Sequence, residues 1–420
     1  MTNMCLKKFR SRNPDTVRFA LISDVHIQDT AFTLDMALDA FNQIGNCDAL
    51  LMLGDIIYQD GFEPESEKYD IVLNMLREKF KNVPFVYTIG NHEFPILAFS
   101  ENIAASTELF EKKTGQSAKY HTKISGYHFI TDVSVTSPDI EWIEDKVKEA
   151  VSEDKNKPVF VMLHDGFQNL ILRSREYKKE WSYKLQEILR NYPQVIAIVG
   201  HVHITAQSPD VIAQDGFTVL QAPCLGEIGY IQGDGLCKEY FVPGTHQAMM
   251  IEIENNIVYV YKLDVENYEY IGEPFIIDIQ KLIIGKSYYS ENEKNNSSVP
   301  YFDNRAELKL RRIGENCIEI AFPKAYNEPA NEFTQDGFVI AYKVEIFEKE
   351  GLQKYDTHMI MTFLEKIVDN YMLNRVRLTN GMEGEIIYIN KNNLSRPIVK
   401  CGDEFIDLSK RKDVEIKELI

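Results

Sequence analysis

Residues 17–26 read VRFALISDVH, and residues 195–203 read VIAIVGHVH. Each is a short, mostly apolar run that stops on a turn carrying two metal-ligand side chains, two positions apart. Three further runs end in the same way. Ala49 to Gly54 leads into Asp55, Phe85 to Gly90 into Asn91, His92 and Glu93, and Val159 to His164 ends on His164 itself, before Asp165. Between the runs lie Leu34 to Ile44, Glu67 to Phe80, Ile140 to Val151 and Tyr183 to Arg190, with apolar residues near helical spacing. Short β-branched runs alternating with such helices predict an α/β sheet with crossover helices. Open α/β sheets gather their sites at the carboxyl ends of strands. The candidate site residues are therefore Asp24, His26, Asp55, Asn91, His92, His164, His201 and His203.

Taken singly, each motif is weak: a Gly-Asp pair is usually a turn, and a strand-end histidine is usually a hydrogen-bonded core or surface residue. What distinguishes the chain is their joint order behind five strands, which uses five of its 9 histidines. His121, His128, His246 and His358 match no motif position and are expected to be structural. Arg173, Arg175, Lys178 and Lys179 could reach a phosphate, but suit a solvated helix face as well. The glycine-rich loop Gly226 to Gly235, with Tyr230, could form a wall of the pocket or only a set of turns.

Further along, Gly216 to Gln221 and Met249 to Leu263, with Asn255-Asn256 as a turn, read as antiparallel strands closing a second sheet. Ser290 to Pro300, SENEKNNSSVP, is polar and reads as a linker. The expected organisation is a catalytic domain over 1–290, a small β unit over 300–355, and a final piece over 356–420. The β unit draws on Ala306 to Arg311, Cys317 to Phe322 and Phe338 to Phe347. The final piece predicts a helix over Met359 to Tyr371, then a compact barrel of short strands with a Thr379-Asn380-Gly381 turn.

The 420 residues are 44% hydrophobic and 26% charged, which suits a folded globular chain rather than a disordered one. Lys plus Arg total 46 against 64 Asp plus Glu, a formal charge of -18, so duplex nucleic acid would meet a repulsive field. A small anionic substrate is not excluded, because bound cations invert the local field. Met1 to Asp15 is basic but has no apolar core, and no run approaches the ~18 apolar residues of a membrane span. Cys5, Cys47, Cys224, Cys237, Cys317 and Cys401 show no CxxC spacing and read as reduced thiols. A cytoplasmic protein is expected.

The residue types suit one chemistry. Two metal ions about 3.5–4 Å apart can share a carboxylate and a hydroxide that attacks phosphorus in line. Asp55 is the candidate bridge. Asp24 and His26 project to the same side of a strand end and can grip one ion, and His201 and His203 repeat the arrangement from another strand. Imidazole and carboxylate without thiolate favour Mn, Fe, Zn, Ni or Co over Cu(I). His92 is left over beside Asn91, where an imidazole can give a proton to a leaving oxygen.

The series DxH, GD, GNHE, H, GHxH resembles the calcineurin-like metallophosphoesterase superfamily, over roughly residues 17–264. The resemblance implies a four-layer α/β/β/α sandwich and two divalent or trivalent transition-metal ions, such as Mn, Fe or Zn. It places Asp24, His26, Asp55 and His203 on the first ion and Asp55, Asn91, His164 and His201 on the second. His92 matches the family's proton donor. The phosphoprotein phosphatases of that superfamily follow Gly-Asp with Val-Asp-Arg-Gly, whereas Asp55 precedes Ile56, Ile57, Tyr58, Gln59 and Asp60. That departure disfavours a phosphoprotein phosphatase, and the acidic balance disfavours a nuclease. A non-catalytic scaffold of the same fold could dispense with its acid, yet His92 and every ligand are present. The expected function is hydrolysis of phosphodiesters or phosphomonoesters of small molecules, nucleotides among them. The tail from about Asp356 to Ile420 resembles the segment that follows some bacterial HD-GYP domains, through RVRLTNGMEGEIIYINKNNLSRPIV and EFIDLSKR. It carries no HD or GYP signature of its own. This implies a bacterial origin and an accessory barrel that could dock a protein partner.

Overall fold

A computed structural model of the chain describes residues 16–27, 31–58, 66–94, 103–168, 170, 179–206, 211–226, 228–231, 239–242, 246–266, 268–281, 301–312, 318–321, 325, 341–347, 354–361, 375–388, 398–402, 404–408, 410–411 and 413–419. Met1 to Asp15, the Ser290 to Pro300 linker, Arg173, Arg175, Lys178 and half of the Gly226 to Gly235 loop (227 and 232–235) lie outside them. The chain divides into two compact units, residues 1–297 with 330–335 and residues 298–329 with 336–420.

The first unit opens with β1 (Val17–Ile22), α1 (Phe32–Ile44), β2 (Ala49–Met52), α2 (Ser66–Lys79), β3 (Phe85–Tyr87) and α3 (Ile103–Thr114). It continues with β4 (Tyr120–Ile124), β5 (Tyr127–Thr131), α4 (Ile140–Glu153), β6 (Val159–Leu163), α5 (Glu180–Leu189), β7 (Val195–Val199), β8 (Ile212–Gln214) and β9 (Thr218–Gln221). Then come β10 (Ile228–Ile231), β11 (Glu239–Val242), β12 (Gln247–Glu254), β13 (Ile257–Asp264), β14 (Glu269–Tyr270) and β15 (Phe275–Asp278). One sheet runs β14-β13-β12-β1-β2-β3, with β15 also on β13, and its β1, β2 and β3 are parallel. The other runs β4-β5-β6-β7-β9-β8 and is parallel from β5 to β9.

Alternation along β1 turns Phe19 and Leu21 to one face. There they are buried with Leu51 and Val86 of their own sheet and with Phe129, Phe160, Met162 and Ile198 of the other. Phe19 meets Phe129 edge-on at 4.9 Å between ring centroids, and Phe129 stacks on Phe160 at 5.1 Å. Each buried ring contributes roughly 2–3 kcal/mol, and the ring geometry about 1 kcal/mol more. These three rings alone go far to hold the sheets face to face. The alternate residues Ile130, Val161, Val199 and Val219 pack outward with Ile143 and Val147 of α4 and Trp181 and Leu185 of α5. On the first sheet α1 buries Leu34, Ala37, Leu38 and Phe41 and lies against β12 and α2. Helices cover both outer faces, so the central strands β2, β6 and β7 are apolar and buried throughout. The result is the four-layer α/β/β/α sandwich.

The five motif-bearing strands stand within three residues of their expected ends. Asn255 and Asn256 take φ of 53° and 63° in the turn from β12 to β13, as a two-residue hairpin requires. Among the described residues no helix is long and apolar enough to cross a membrane. The described cysteines Cys47, Cys224 and Cys401 form no disulfide.

The second unit contains β16 (Lys309–Arg312), β17 (Ile318–Ala321), β18 (Ala341–Phe347), β19 (Lys354–Met361), β20 (Arg375–Leu378), β21 (Glu383–Tyr388), β22 (Ile398–Cys401), β23 (Glu404–Asp407) and β24 (Ile416–Leu419). β16 pairs with β17 and β18 with β19, while the last five form an antiparallel sheet in the order β23-β22-β21-β20-β24. That sheet buries Val376, Leu378, Val399, Ile406, Leu408 and Val414. Where a barrel is expected, no ladder joins the edge strands β23 and β24 among the described residues. The expected helix over Met359 to Tyr371 is also corrected at its start. Met359, Ile360 and Met361 end strand β19, opposite Lys343, Tyr342 and Ala341. A cross-strand partner overrides local helical periodicity there, and the rest of that expected helix lies outside the described residues.

Candidate metal centre

Five turns, each following a parallel strand, build the centre. They begin at Ser23 after β1, Leu53 after β2, Thr88 after β3, His164 after β6 and Gly200 after β7. Backbone bonds tie them together: Asp24 N–H donates to Gly54 O at 3.2 Å, His26 N–H to Asp55 O at 3.0 Å, and Gly200 N–H to His164 O at 2.9 Å. The turns approach so closely that a Cβ on Gly90 would strike the Asp55 carboxylate, and one on Gly200 would strike Ser23 Oγ. Glycine is needed before Asn91 and His201 for that reason. Asp24, His26, Asp55, His201 and His203 take φ of 52°, 46°, 49°, 76° and 51°. Left-handed backbone is uncommon for residues with a Cβ and gathers at functional sites.

These turns bring all eight candidate residues to one region. Potential ligand atoms of Asp24, His26, Asp55 and His203 lie within 4.8 Å of one another, as do those of Asp55, His164 and His201. Asp55 is common to both sets. Asn91 joins the second through its Oδ1, 3.0 Å from His164 Nε2. His203 Nε2 lies 3.2 Å from Asp24 Oδ1, and His26 Nε2 lies 3.8 Å from both Asp24 Oδ1 and Asp55 Oδ2.

The hydrogen bonding fits cations. His164 Nδ1 is 2.5 Å from Leu53 O, which can only accept, so Nδ1 carries the hydrogen. Were the ring neutral, Nε2 would be a lone pair, yet it faces Asp55 Oδ2 at 3.1 Å and Asn91 Oδ1 at 3.0 Å. Three acceptors converging in a buried pocket call for positive charge between them. In the other set, His26 Nε2 and His203 Nε2 face each other at 2.9 Å, and His26 Nδ1 is buried with no hydrogen-bond partner among the described residues. An outer acceptor that fixes the imidazole tautomer, as Leu53 O does for His164, is the usual support of a metal-binding histidine.

The electrostatics agree. Burial resists the charge on His164, but Asp55 beside it lifts the imidazole to about 10. Burial likewise opposes ionisation of Asp24, yet His203 and His26 hold that carboxyl well below its usual range. His201 has burial as its main influence and falls to about 4, so it presents a neutral ring. Ionised carboxylates draw positive charge into the pocket, here as a proton on His164, and oxygen- and nitrogen-binding transition metals can take that proton's place.

His92 stands at the edge, its side chain 24% exposed and Nε2 3.9 Å from Asp55 Oδ2. Its Nδ1 donates to Tyr58 O at 2.7 Å, and its backbone N–H to Asp55 Oδ1 at 2.8 Å. The ring is thus aimed at the centre from outside both ligand sets.

Two buried residues escape a search for ligands. Glu93, the last residue of GNHE, accepts from the backbone N–H groups of Gly90 at 2.7 Å, Ile56 at 2.8 Å and Asp55 at 3.0 Å. Burial, with the Asp55 charge nearby, pushes its carboxyl up to about 7. It clamps the Asp55 turn to the Asn91 turn. Glu93→Ala strands three buried donors at about 1 kcal/mol or more each, so a loss of about 3 kcal/mol is expected in chemical denaturation, partly recovered in Glu93→Gln. An unchanged midpoint would remove the clamp from consideration. Cys224 is the other, fully buried, with ligand-type atoms of His26 and His203 in reach. No spacing signal announces it, because its partners lie far away in sequence.

The discounted residues keep ordinary roles. His121 Nε2 pairs with His128 Nδ1 at 2.9 Å, away from the centre on the β4–β5 hairpin, and His246 Nδ1 donates to Leu225 O at 2.8 Å. Lys179 is engaged by Asp165 at 2.6 Å.

A two-sheet sandwich with buried carboxylates and imidazoles at the ends of its parallel strands defines a metallohydrolase class of domain. Residues 17–205 match the family model for calcineurin-like phosphoesterases. The family's general chemistry is metal-dependent hydrolysis of phosphoesters. No curated protein matches the chain. Among solved structures, it resembles a conserved uncharacterized protein, titled a predicted phosphoesterase, from Streptococcus pneumoniae TIGR4, at 12% identity over 62% of this chain and 97% of that one, TM-score 0.30. It also resembles GAP50, the anchor in the inner membrane complex of Plasmodium, at 14% identity over 65% and 90%, TM-score 0.42. A third is Vacuolar Protein Sorting 29 from Cryptosporidium parvum, at 13% over 63% and 98%, TM-score 0.33. At such scores these likenesses carry no weight.

Proposed function

We propose that the chain is an active hydrolase of small phosphodiesters or phosphomonoesters, nucleotides among them, working with two transition-metal ions such as Mn, Fe or Zn. Asp24, His26, Asp55 and His203 would hold one ion, and Asp55, Asn91, His164 and His201 the other. Bound cations would supply charge to the phosphoryl oxygens and acidify a water.

The observation that favours catalysis over a scaffold is the placement of His92. Its Nδ1–H is held by Tyr58 O while Nε2 faces the centre 3.9 Å from Asp55 Oδ2. With Nδ1–H held by that carbonyl, Nε2 is the nitrogen left to pass a proton to a leaving oxygen. Asp55 holds the His92 backbone through the N–H bond to Oδ1. The acidic surface repels large polyanions and leaves small substrates to be drawn by the ions.

The test is a panel of chromogenic monoesters, chromogenic diesters and nucleotides, run on protein loaded with Mn, Fe or Zn and on chelated protein. Turnover of at least one class, lost on chelation and restored by metal, is expected. No turnover with any substrate by protein shown to contain two ions would leave the scaffold reading in its place.

A further inference from the structure

We infer that Cys224 is a thiolate ligand of the first metal position, making that position softer than carboxylate and imidazole alone would. The inference rests on the two-metal reading above and adds to it a residue outside the Asp–His–Asn motifs.

Cys224 lies just beyond β9, fully buried in the first unit. Its backbone forms a parallel bridge with Ser23. Leu225 N–H donates to Ser23 O at 2.9 Å, and Gly226 N–H to Asp24 O at 2.8 Å. The next residue, Gly226, fits so tightly that a Cβ there would come within 2.9 Å of both His26 Cβ and Val25 O. The loop is thus seated flush against the turn that carries Asp24 and His26, and the thiol is presented to the same space. Ligand-type atoms of Cys224, His26 and His203 all lie within 4.8 Å of one another. Two atoms on one ion cannot stand farther apart than the sum of their bonds, about 4.4 Å for sulfur at ~2.3 Å and nitrogen at ~2.1 Å. The cluster is therefore within a few tenths of an ångström of that span.

The plain alternative is a thiol that only donates a hydrogen bond. Sγ does lie 3.1 Å from Asp24 O, and the thiol also hydrogen-bonds with the His203 imidazole. That carbonyl already accepts the Gly226 N–H, so it does not need the thiol to be satisfied. Meanwhile His26 Nδ1, in a residue only 6% exposed, has no hydrogen-bond partner among the described residues. On ligation the S–H bond breaks, its proton passes to solvent, and the sulfur electron pair forms the bond to the ion. No oxidant or reductant is involved. A thiolate shifts preference toward Zn or Fe and away from Mn.

The experiment loads full-length protein with Co2+ and records the sulfur-to-cobalt charge-transfer absorption in the near ultraviolet, with cobalt content measured on the same sample. The expected result is that absorption in the wild type and its loss in Cys224→Ser, with the visible bands of bound cobalt retained. Zinc-edge X-ray absorption of wild-type protein should show a sulfur neighbour at about 2.3 Å, so the inference stays testable if the variant does not fold. Bound cobalt with no charge-transfer band, or zinc with only nitrogen and oxygen neighbours, would overturn the thiolate and leave the two-metal reading standing. A folded wild type that takes up neither metal would overturn both.

Discussion

Asp55→Asn is expected to cost the protein both ions at once. The carboxylate is the residue shared by the two ligand sets, and its Oδ2 faces His164 at 3.1 Å, His26 at 3.8 Å and His92 at 3.9 Å. Burial works against its ionisation, but the neighbouring imidazoles hold Asp55 below the usual carboxylate range, so its charge is present at any working pH. Asparagine keeps the shape and can still accept the His92 N–H, which isolates the loss of charge from a loss of fold. Removing one preorganised donor to a developing oxyanion costs about 10²–10³ in rate, and losing the cations should cost more. A fall in kcat/KM of at least ~1,000-fold is expected, with metal content dropping from about two ions per chain to below one. Retention of one full ion would show that the two positions are independent and that Asp55 does not bridge them.

His92→Ala should do the reverse: metal content stays, while kcat falls by roughly 10²–10⁴, the usual worth of a positioned acid. The ring lies outside both ligand sets, and its Nδ1 is already committed to Tyr58 O. The loss should shrink on a p-nitrophenyl ester, whose leaving group needs little protonation, and be largest on an alkyl ester. An equal loss on both would count against proton donation. Loss of an ion would instead make His92 a ligand.

The strand ends and the eight side chains were readable because both rest on local signals. An apolar run buried on two faces looks the same before and after folding, and Asp24, His26 and the rest follow such runs directly. The β4–β5 hairpin was missed because Tyr120 to Ile124 is only partly buried and carries polar residues at most positions. Helix α3 was missed for a related reason, since only Ser106 and Phe110 are buried and its apolar stripe is thin. Glu93 was in view as part of GNHE, but its use depends on where the Asp55 turn lies in space. Cys224 had no local signal at all: it meets His26 and His203 through a backbone bridge between Ser23 and a loop some two hundred residues away. Periodicity at Met359 pointed to a helix until β18 supplied the ladder that makes it a strand.

The left-handed backbone at Asp24, His26, Asp55, His201 and His203 sets a limit on transplantation. Each such residue works against the chain's own preference by about 1 kcal/mol or more, so a short peptide reading DVH or GHVH would relax out of the required shape. What keeps them there is the mutual hydrogen bonding of neighbouring turns and the close-fitting glycines at positions 90 and 200. An engineer wishing to install this centre on another sheet would have to graft five interlocked turns with their spacing, since eight correctly chosen side chains on foreign loops would arrive with their ligand atoms pointing elsewhere.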